Sequence, residues 1–336
     1  MPGGGPALER AWIRLTDNVS LYRCACRFAR AWHADAIYER YALTAVAGSF
    51  VARRLGVPHI LEVNAPLAEE EARYRGLRLG WLARRLEGWL LRRADRLVVV
   101  SRELAEYARA RGVARERIVV LPNAVDPRIF HPRRDGSSVR ERYGLDGAFV
   151  LGFSGTLKPW HGLAHLVQAL AQLRHSVPQV GLIVVGEGPG AAEAQAQVQR
   201  LGLEQHVHFA GSVPHAQVPD FLAACDVLVA PYGPLEDFWF SPLKVAEYRA
   251  MGRPVVASAI GQIRELPGEE AGIVFVPPGD EAALARALAE LAADPARRAR
   301  LSRAVVAGGI GSWRDLTRRI LTESEIARRE IWGWAR

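Results

Sequence analysis

The chain has 336 residues, of which 49% are hydrophobic and 24% charged, and it carries a formal net charge of +8 at pH 7. These values predict an ordinary globular protein that is long enough for two domains. Three cysteines with no histidine at zinc-ligand spacing exclude a zinc finger and a disulfide framework. No apolar run reaches the roughly 20 residues that span a bilayer, so we expect a cytoplasmic protein.

The first half opens with a helical pattern at residues 7–32 and continues with four short apolar strands. The predicted strands are residues 36–38, 59–63, 96–100 and 117–122. Residues 1–147 hold 26 Arg and Lys against 17 Asp and Glu, whereas residues 148–336 hold 18 against 19. The positive charge therefore belongs to the first half.

A basic half suits nucleic acid, anionic lipid headgroups or an acidic substrate, or it is simply solvated. No zinc-finger, recognition-motif or aromatic-rich strand pattern is present, so we expect no nucleic-acid partner. Trp81 and Trp89 stand among arginines in one helical stretch, which predicts either a core stripe with a solvated opposite face or peripheral contact with the inner face of a membrane. The arginines of this stretch are Arg84, Arg85, Arg92 and Arg93.

The second half alternates six apolar strands with helices. The predicted strands are residues 148–155, 181–188, 207–211, 226–231, 253–258 and 272–276, and the helices are residues 161–174, 190–201, 215–224, 242–251 and 280–293. Near-continuous apolar strands in this alternation are typical of a parallel sheet that is covered on both faces. The sequence thus predicts an α/β fold of two doubly wound, Rossmann-like domains, the first of them incomplete.

The boundary between the domains falls where Asn, Asp, Pro and Gly cluster and the periodicity lapses. We predict a first domain over residues 1–127, a linker over residues 128–147 and a second domain over residues 148–311.

The loop "GFSGTLKPWHG" follows the first strand of the second domain. In a parallel doubly wound sheet, ligands bind beyond the carboxyl ends of the strands. Glycines such as Gly155 allow close backbone approach, the next helix directs its free N–H groups at the loop, and Lys158 and His161 add cationic groups. The loop suits a diphosphate, although a plain tight turn would have a similar composition.

The stretch "SPLKVAEYRAMG" predicts a helix with Ser241 at the N-cap, Pro242 at the first helical position and a stop at Gly252. Lys244 lies in its first turn, where a cation opposes the helix dipole. Lysine is rare in this chain, since 42 of the 44 basic residues are arginine and only Lys158 and Lys244 are lysine. Their placement favours an anion site over chance.

Glu247 lies three residues after Lys244 and projects from the same helix face. A carboxylate there can accept hydrogen bonds from a ribose diol. The other reading is an intrahelical ion pair, which contributes only about 0.2 to 0.5 kcal/mol.

Six motifs together resemble glycosyltransferase family 4. In chain order they are "PNAVDPRIFHP", "GFSGTLKPWHG", "VVGEGPG", "VHFAGSVPHAQVPDFLAACDVLVAPY", "SPLKVAEYRAMGRPVVAS" and "AGIVFVPPGDEAALARAL". The resemblance covers about residues 36–320. It implies the GT-B fold, in which two Rossmann-like domains face a cleft, and transfer of a sugar with retention of configuration from a nucleotide donor held by the second domain. It also implies a last helix, residues 312–336, that joins the first domain, with Trp332 and Trp334 buried.

The resemblance assigns roles residue by residue. The second glutamate of the family's E-x7-E motif falls on Glu247, and the family's basic pair falls on Thr156 and His161, with Lys158 between them as the substitute. Asn64 stands where the family often has a histidine facing the donor sugar; its other reading is a turn residue. The implied catalytic residues are Lys158, Lys244, Glu247 and Asn64. The implied donor-binding residues are Gly155, Thr156, His161, Gly186, Gly188, Val213, Ser241, Pro242, Leu243 and Glu247.

The chain also departs from the family pattern. Trp239 occupies the place of the first glutamate, and Glu236 and Asp237 are out of register. The family's opening strand and Gly-rich loop are not matched before residue 36. The predicted function is transfer of a sugar from a nucleotide-diphosphate donor to a glycan, lipid-linked or small-molecule acceptor, typical of cell-envelope or polysaccharide biosynthesis, with no metal or cofactor. The competing readings are a catalytically silent nucleotide-sugar binding subunit and a sugar-nucleotide epimerase or hydrolase.

Overall fold

The computed structural model describes residues 7–74, 80–308 and 311–333. Its chain divides into two compact units. The first unit comprises Met1–Pro122, Trp239–Ser241 and Arg314–Arg336, and the second comprises Asn123–Phe238 and Pro242–Trp313.

Strands and helices alternate along most of the chain. The strands are β1 Ile37–Arg40, β2 His59–Val63, β3 Arg96–Val99, β4 Ile118–Val120, β5 Phe149–Ser154, β6 Val180–Val185, β7 Val207–Gly211, β8 Val227–Ala230, β9 Val255–Ser258 and β10 Ile273–Val276. The helices are α1 Ala7–Ala31, α2 Ala47–Leu55, α3 Leu67–Tyr74, α4 Gly80–Arg93, α5 Arg102–Ala110, α6 Ser137–Tyr143, α7 Leu163–Leu173, α8 Ala191–Arg200, α9 Val218–Ala223, α10 Leu243–Ala250, α11 Glu281–Ala293, α12 Pro295–Ala307 and α13 Trp313–Gly333. All ten predicted strands occur in this described part of the chain.

The first unit is built on a four-stranded parallel sheet in the order β1-β2-β3-β4. The apolar residues of β2 and β3 are almost fully buried, as a sheet covered on both faces requires. Arg96 at the start of β3 is buried and pairs with Glu323 and Glu330 of α13, at 3.4 and 2.7 Å. These two ion pairs join the C-terminal helix to the sheet.

The second unit holds a six-stranded parallel sheet in the order β10-β9-β8-β5-β6-β7. The order reverses beside β5, so the carboxyl ends of β5 and β8 form a topological switch point, where doubly wound sheets bind ligands. The core on this sheet includes Phe153 of β5 together with Leu166 and Leu170 of α7, none of which is exposed. Both sheets confirm the α/β fold of two Rossmann-like units.

The segment predicted as a linker, residues 128–147, carries structure of its own. It contains α6, and Arg140 of this helix donates to the backbone oxygen of Ala224 and pairs with Asp226 at 2.8 Å. The Asp226 carboxylate also accepts from the backbone N–H of Val150. These contacts tie α6 to β5 and to the start of β8, so the segment belongs to the second unit.

None of the helices in the described ranges is long and apolar enough to cross a membrane. The expected burial of Trp332 and Trp334 concerns side chains that lie outside the described residues.

Candidate functional site

Two glycine loops lie side by side at the carboxyl ends of β5 and β6. Gly155 has φ +125°, and a Cβ on Gly186 would lie 2.1 Å from the Gly155 carbonyl oxygen. A Cβ on Gly188 would lie 2.7 Å from the backbone nitrogen of Leu157. The loops are also joined by a hydrogen bond from the Leu157 N–H to the Glu187 oxygen at 2.9 Å. Gly186 and Gly188, predicted to contact a donor, thus bring the two backbones together.

The second half of the first loop leads into α7 through a tight turn. Gly162 is the N-cap of α7 with φ +78°, and a Cβ there would lie 1.7 Å from the Pro231 carbonyl oxygen. Lys158 and Thr156 are both exposed on this loop, and the Lys158 ammonium lies 5.0 Å from the centre of the Trp160 ring. The loop therefore carries one lysine that can meet a ligand from solvent.

Lys244 is buried at the same edge of the sheet, with 7% of its surface exposed. Its Nζ lies 4.0 Å from the centre of the Phe153 ring and 5.5 Å from that of Tyr232, and it makes no hydrogen bond within the described chain. A Cβ on Gly155 would be 3.5 Å from this Nζ, so the ammonium borders the glycine loop. Aromatic faces attract a cation but leave the N–H donors of an ammonium unsatisfied.

The surroundings change the acidity of Lys244. Burial lowers the pKa of Lys244 from 10.5 to about 7, and the neighbouring Glu247 carboxylate only partly opposes this. A buried cation without a hydrogen-bonded partner is costly. Oxygen atoms of an anion at this position would supply the hydrogen bonds that the ammonium lacks.

His161 differs from the cationic residue that we predicted. Its Nδ1 lies 2.5 Å from the backbone oxygen of Thr156. Burial, together with the positive charges of Lys244 and Lys158, lowers the pKa of His161 to about 4, although the hydrogen bond to Thr156 opposes the change. The imidazole is therefore neutral at pH 7 and offers hydrogen bonds rather than charge.

Glu247 lies on α10 one turn after Lys244, and its carboxylate is 3.5 Å from Nε2 of His215. Burial raises the pKa of Glu247, although the contacts with His215 and Lys244 oppose the rise. The Phe130 ring packs edge-on against His215 at 5.2 Å. His215 and the half-buried Val213 share the loop after β7, so this loop faces the glutamate.

The start of α10 is one residue later than predicted. The helix begins at Leu243, and Pro242 is the N-cap rather than the first helical residue. Pro242 has an extended ψ of 106° and takes the N-cap position that we predicted for Ser241, and its own side chain makes no capping hydrogen bond. Lys244 still lies in the first turn, and Leu243 is 43% exposed beside it.

In the first unit, Asn64 follows the carboxyl end of β2. Its amide donates to the Glu62 carboxylate at 2.6 Å, and its Oδ1 is buried without a partner in the described chain. Glu62 also accepts from Tyr38 and Arg40 of the adjacent strand. Burial raises the pKa of Glu62, but hydrogen bonds from Tyr38, Asn64 and Arg40 outweigh it and lower the pKa overall. Glu62 is thus ionised.

Trp239 packs into the core of the first unit. Its ring meets Tyr107 edge-on at 5.4 Å, and its backbone oxygen accepts from the Ser101 hydroxyl. An ionised glutamate at this position would lose both the ring contact and its own hydration. The tryptophan therefore has a packing role that explains its presence at residue 239.

Comparison with known proteins identifies the family. The model for glycosyl transferases group 1 matches residues 148–294, and the model for a glycosyl transferase 4-like domain matches residues 3–124. The 2-deoxystreptamine glucosyltransferase of Streptomyces kanamyceticus is 32% identical over 302 residues, which are 86% of this chain and 75% of that protein. The chain is a group 1 glycosyltransferase. It transfers a sugar from a nucleotide donor.

Two further proteins resemble this glycosyltransferase. The D-inositol 3-phosphate glycosyltransferase of Stackebrandtia nassauensis is 32% identical over 288 residues, 80% of this chain and 62% of that protein. The solved structure of HepE from Anabaena in complex with UDP is 26% identical, with a TM-score of 0.72, over 86% of this chain and 76% of that one. These likenesses confirm the GT-B fold predicted from the motifs.

The second unit of the glycosyltransferase brings together most of the predicted donor residues. Gly155, Lys244 and His161 are neighbours, and Glu247 lies one helical turn away. Asn64 belongs to the first unit. The sequence prediction missed Tyr232 and His215. Tyr232 packs against Lys244, and His215 contacts Glu247 from another loop. Neither contact leaves a local signal in the sequence.

Proposed function

We propose that the second unit binds the diphosphate of a nucleotide sugar at Lys244 and Lys158. The observation that carries this proposal is the Lys244 ammonium, which is buried beside the glycine loop without a hydrogen-bond partner in the described chain. Folding leaves a cation in such a place at a cost in stability, which an anionic ligand can offset. A diphosphate offers several oxygens to Lys244, to Lys158 and to backbone N–H groups of the loops.

The same groups account for catalysis. Departure of a nucleoside diphosphate from a sugar transfers negative charge onto the leaving group, so fixed positive charge there stabilises the transition state more than the ground state. Lys244 is immobilised by packing between Phe153 and Tyr232, which reduces reorganisation during the reaction. His161 is neutral and is held by the contact of its Nδ1 with the backbone oxygen of Thr156, so it contributes hydrogen bonding rather than charge.

We infer that Glu247 holds the ribose hydroxyls. Its carboxylate lies one turn from Lys244 and is oriented by His215, and a carboxylate can accept two hydrogen bonds from a diol. HepE, the solved relative, binds UDP, which supports a nucleoside diphosphate here. Retention of configuration and transfer without metal or cofactor stay predictions.

We further propose that the first unit binds the acceptor near Glu62 and Asn64, at the carboxyl end of β2, where such sheets bind ligands. The ionised Glu62 can accept a hydrogen bond from an acceptor hydroxyl. The relatives act on small polar rings according to their names, 2-deoxystreptamine and D-inositol 3-phosphate, which favours a small polyhydroxylated acceptor over a long glycan. A lipid-linked acceptor with peripheral membrane contact through Trp81, which is 58% exposed, is the second candidate.

The experiment is an assay of nucleotide release from UDP-, GDP-, ADP- and TDP-sugars, with and without each acceptor. We expect one donor class to be consumed with stoichiometric glycosylated product, and Lys158→Ala and Lys244→Ala to reduce its turnover while the fold is kept. The control is Arg300→Ala/Arg303→Ala, which removes two exposed cations from α12. Normal turnover in both lysine variants would refute the phosphate assignment.

The competing reading of the sequence, a silent binding subunit, rests on Trp239 at the place of the family's first glutamate, but the match to glycosyltransferases does not support it. That reading predicts tight nucleotide binding and no release of nucleotide with any donor and acceptor pair. The same assay therefore separates the two functions.

A further inference from the structure

The first unit has a surface cavity of about 400 Å³ that is open to solvent and whose wall is mostly arginine. Its lining residues are Arg84, Arg85, Gly88, Arg92, Ala110 and Arg111. The volume is within the range of small-molecule sites. The lining comes from α4 and the end of α5, and no residue of the loops after β1 to β4 contributes within the described ranges. The cavity is therefore separate from the region where the proposed acceptor binds.

Arg111 is held in one position by three contacts. Its guanidinium pairs with Glu69 at 2.9 Å and approaches Glu87 at 3.5 Å. It also stacks over the Tyr107 ring, 3.3 Å from the ring centre. An arginine fixed in this way loses little conformational entropy when it meets a ligand.

The Glu87 carboxylate, which lies beneath Arg111, is itself fixed in position. Glu87 is 2% exposed and accepts from the hydroxyls of Tyr41 and Tyr107 and, at 3.2 Å, from the backbone N–H of Ala68. Because these donors hold the carboxylate from several sides, it stays beneath Arg111 and does not pair with Arg85 or Arg92. Only Glu69 and Glu87 oppose the four arginines within the described chain, so two positive charges remain in excess.

Arg85 and Arg92 carry that excess. Arg92 donates to the backbone oxygen of Arg111 at 2.8 Å, which aims it across the cavity without neutralising its charge. No carboxylate in the described ranges pairs with Arg85 or Arg92. A Cβ on Gly88 would lie 3.1 Å from the Arg92 guanidinium, so this glycine keeps the floor of the cavity open.

We propose that this cavity is a binding site for a phosphate-bearing ligand, with Arg85 and Arg92 as the direct contacts and Arg111 as a preorganised wall. Planar guanidinium groups bind phosphate oxygens in pairs, and several of them around one cavity suit a ligand with more than one negative charge. The chemistry is common to a soluble polyphosphate and to the headgroup phosphates of a membrane. The site is independent of the donor site in the second unit.

The test is calorimetric titration with tripolyphosphate in the Lys158→Ala/Lys244→Ala background, which removes the proposed donor site. We expect binding there, and we expect adding Arg85→Ala/Arg92→Ala to weaken it by about tenfold or more. Arg300→Ala/Arg303→Ala, which removes the same charge from α12, should leave it unchanged. If the alanine pair impairs folding, Arg85→Gln/Arg92→Gln keeps the polar stems and should weaken binding as strongly.

Sedimentation with phosphatidylcholine vesicles, with and without phosphatidylglycerol, identifies the source. Arginine-dependent binding of tripolyphosphate alone assigns a soluble ligand, and arginine-dependent sedimentation with the anionic vesicles assigns a headgroup. If the arginine variants match the parent in both experiments, the site is refuted. UDP binding to the Arg85→Ala/Arg92→Ala variant in an otherwise unchanged chain tests the donor site separately, and so the two proposals can fail independently.

Discussion

Replacing Lys244 with methionine should make the chain more stable and abolish tight binding of a nucleoside diphosphate. Methionine keeps an unbranched apolar stem between Phe153 and Tyr232 but removes the ammonium. The parent lysine is nearly fully buried and lacks a hydrogen-bond partner in the described residues, so its charge destabilises the folded state.

The magnitude follows from linkage. The pKa of Lys244 falls from its ordinary value of 10.5 to about 7 in the folded chain, so the unfolded chain binds more protons between these values. The folded chain therefore has its full free energy of unfolding above pH 10.5, and it loses part of this free energy as the pH falls toward 7. A pKa difference of this size corresponds to about 5 kcal/mol, which is the ceiling for the gain from Lys244→Met at pH 7.

Denaturant unfolding between pH 7 and pH 10 measures this effect. The parent should gain free energy of unfolding as the pH rises, and the gap between Lys244→Met and the parent should close. Titration with UDP, GDP and ADP at pH 7 measures the predicted loss of binding. The variant should bind about 10- to 100-fold more weakly than the parent, as expected from a lost hydrogen bond to a charged group.

Two results would refute this role of Lys244. One is a Lys244→Met variant that binds nucleoside diphosphates as tightly as the parent. The other is a variant that is less stable than the parent at pH 7, since that would mean that the ammonium has a stabilising partner. Lys158→Met is the matched control, because Lys158 is exposed and its loss should weaken binding without a gain in stability.

Three further predictions concern the same chain. Glu247→Gln should weaken UDP binding by about tenfold or more and leave pyrophosphate binding unchanged, and calorimetry that shows equal losses for both ligands would contradict the ribose assignment. Gly186→Ala should lower the free energy of unfolding by about 3 kcal/mol or more because its Cβ would clash with the Gly155 oxygen. Gly144→Ala, at φ +63° with open space around it, should cost only about 1 kcal/mol, and equal losses in the two variants would show that the clash is relieved. Glu87→Ala should destabilise the first unit by about 3 kcal/mol because it leaves two tyrosine hydroxyls and a buried N–H unpaired, and an unchanged unfolding midpoint would rule this out.

The sequence predicted those parts of the fold that depend on local pattern. Continuous apolar runs such as β5 and β6 predict buried parallel strands, and they occur where expected. The start of α10 was placed within one residue because Pro242 and Gly252 are local signals, but the assignment of the N-cap to Ser241 was wrong. The side-chain capping rule favours serine, whereas here the proline takes the cap position.

Long-range contacts leave no comparable signal in the sequence. The position of Lys244 between Phe153 and Tyr232 depends on residues that are far apart in the chain. The neutrality of His161 follows from burial and from the charge of Lys244, neither of which has a sequence signature. The role of Trp239 likewise depends on Tyr107, which no motif connects to it.

The most direct test of the donor assignment is nucleotide release from a panel of nucleotide sugars by the parent and by Lys244→Met, with glycosylated acceptor measured in the same reaction. We expect acceptor-dependent release by the parent, with one product formed per nucleotide, and little or none by the variant. Equal release by the two proteins, or tight nucleotide binding by the parent with no release under any condition, would contradict the assignment.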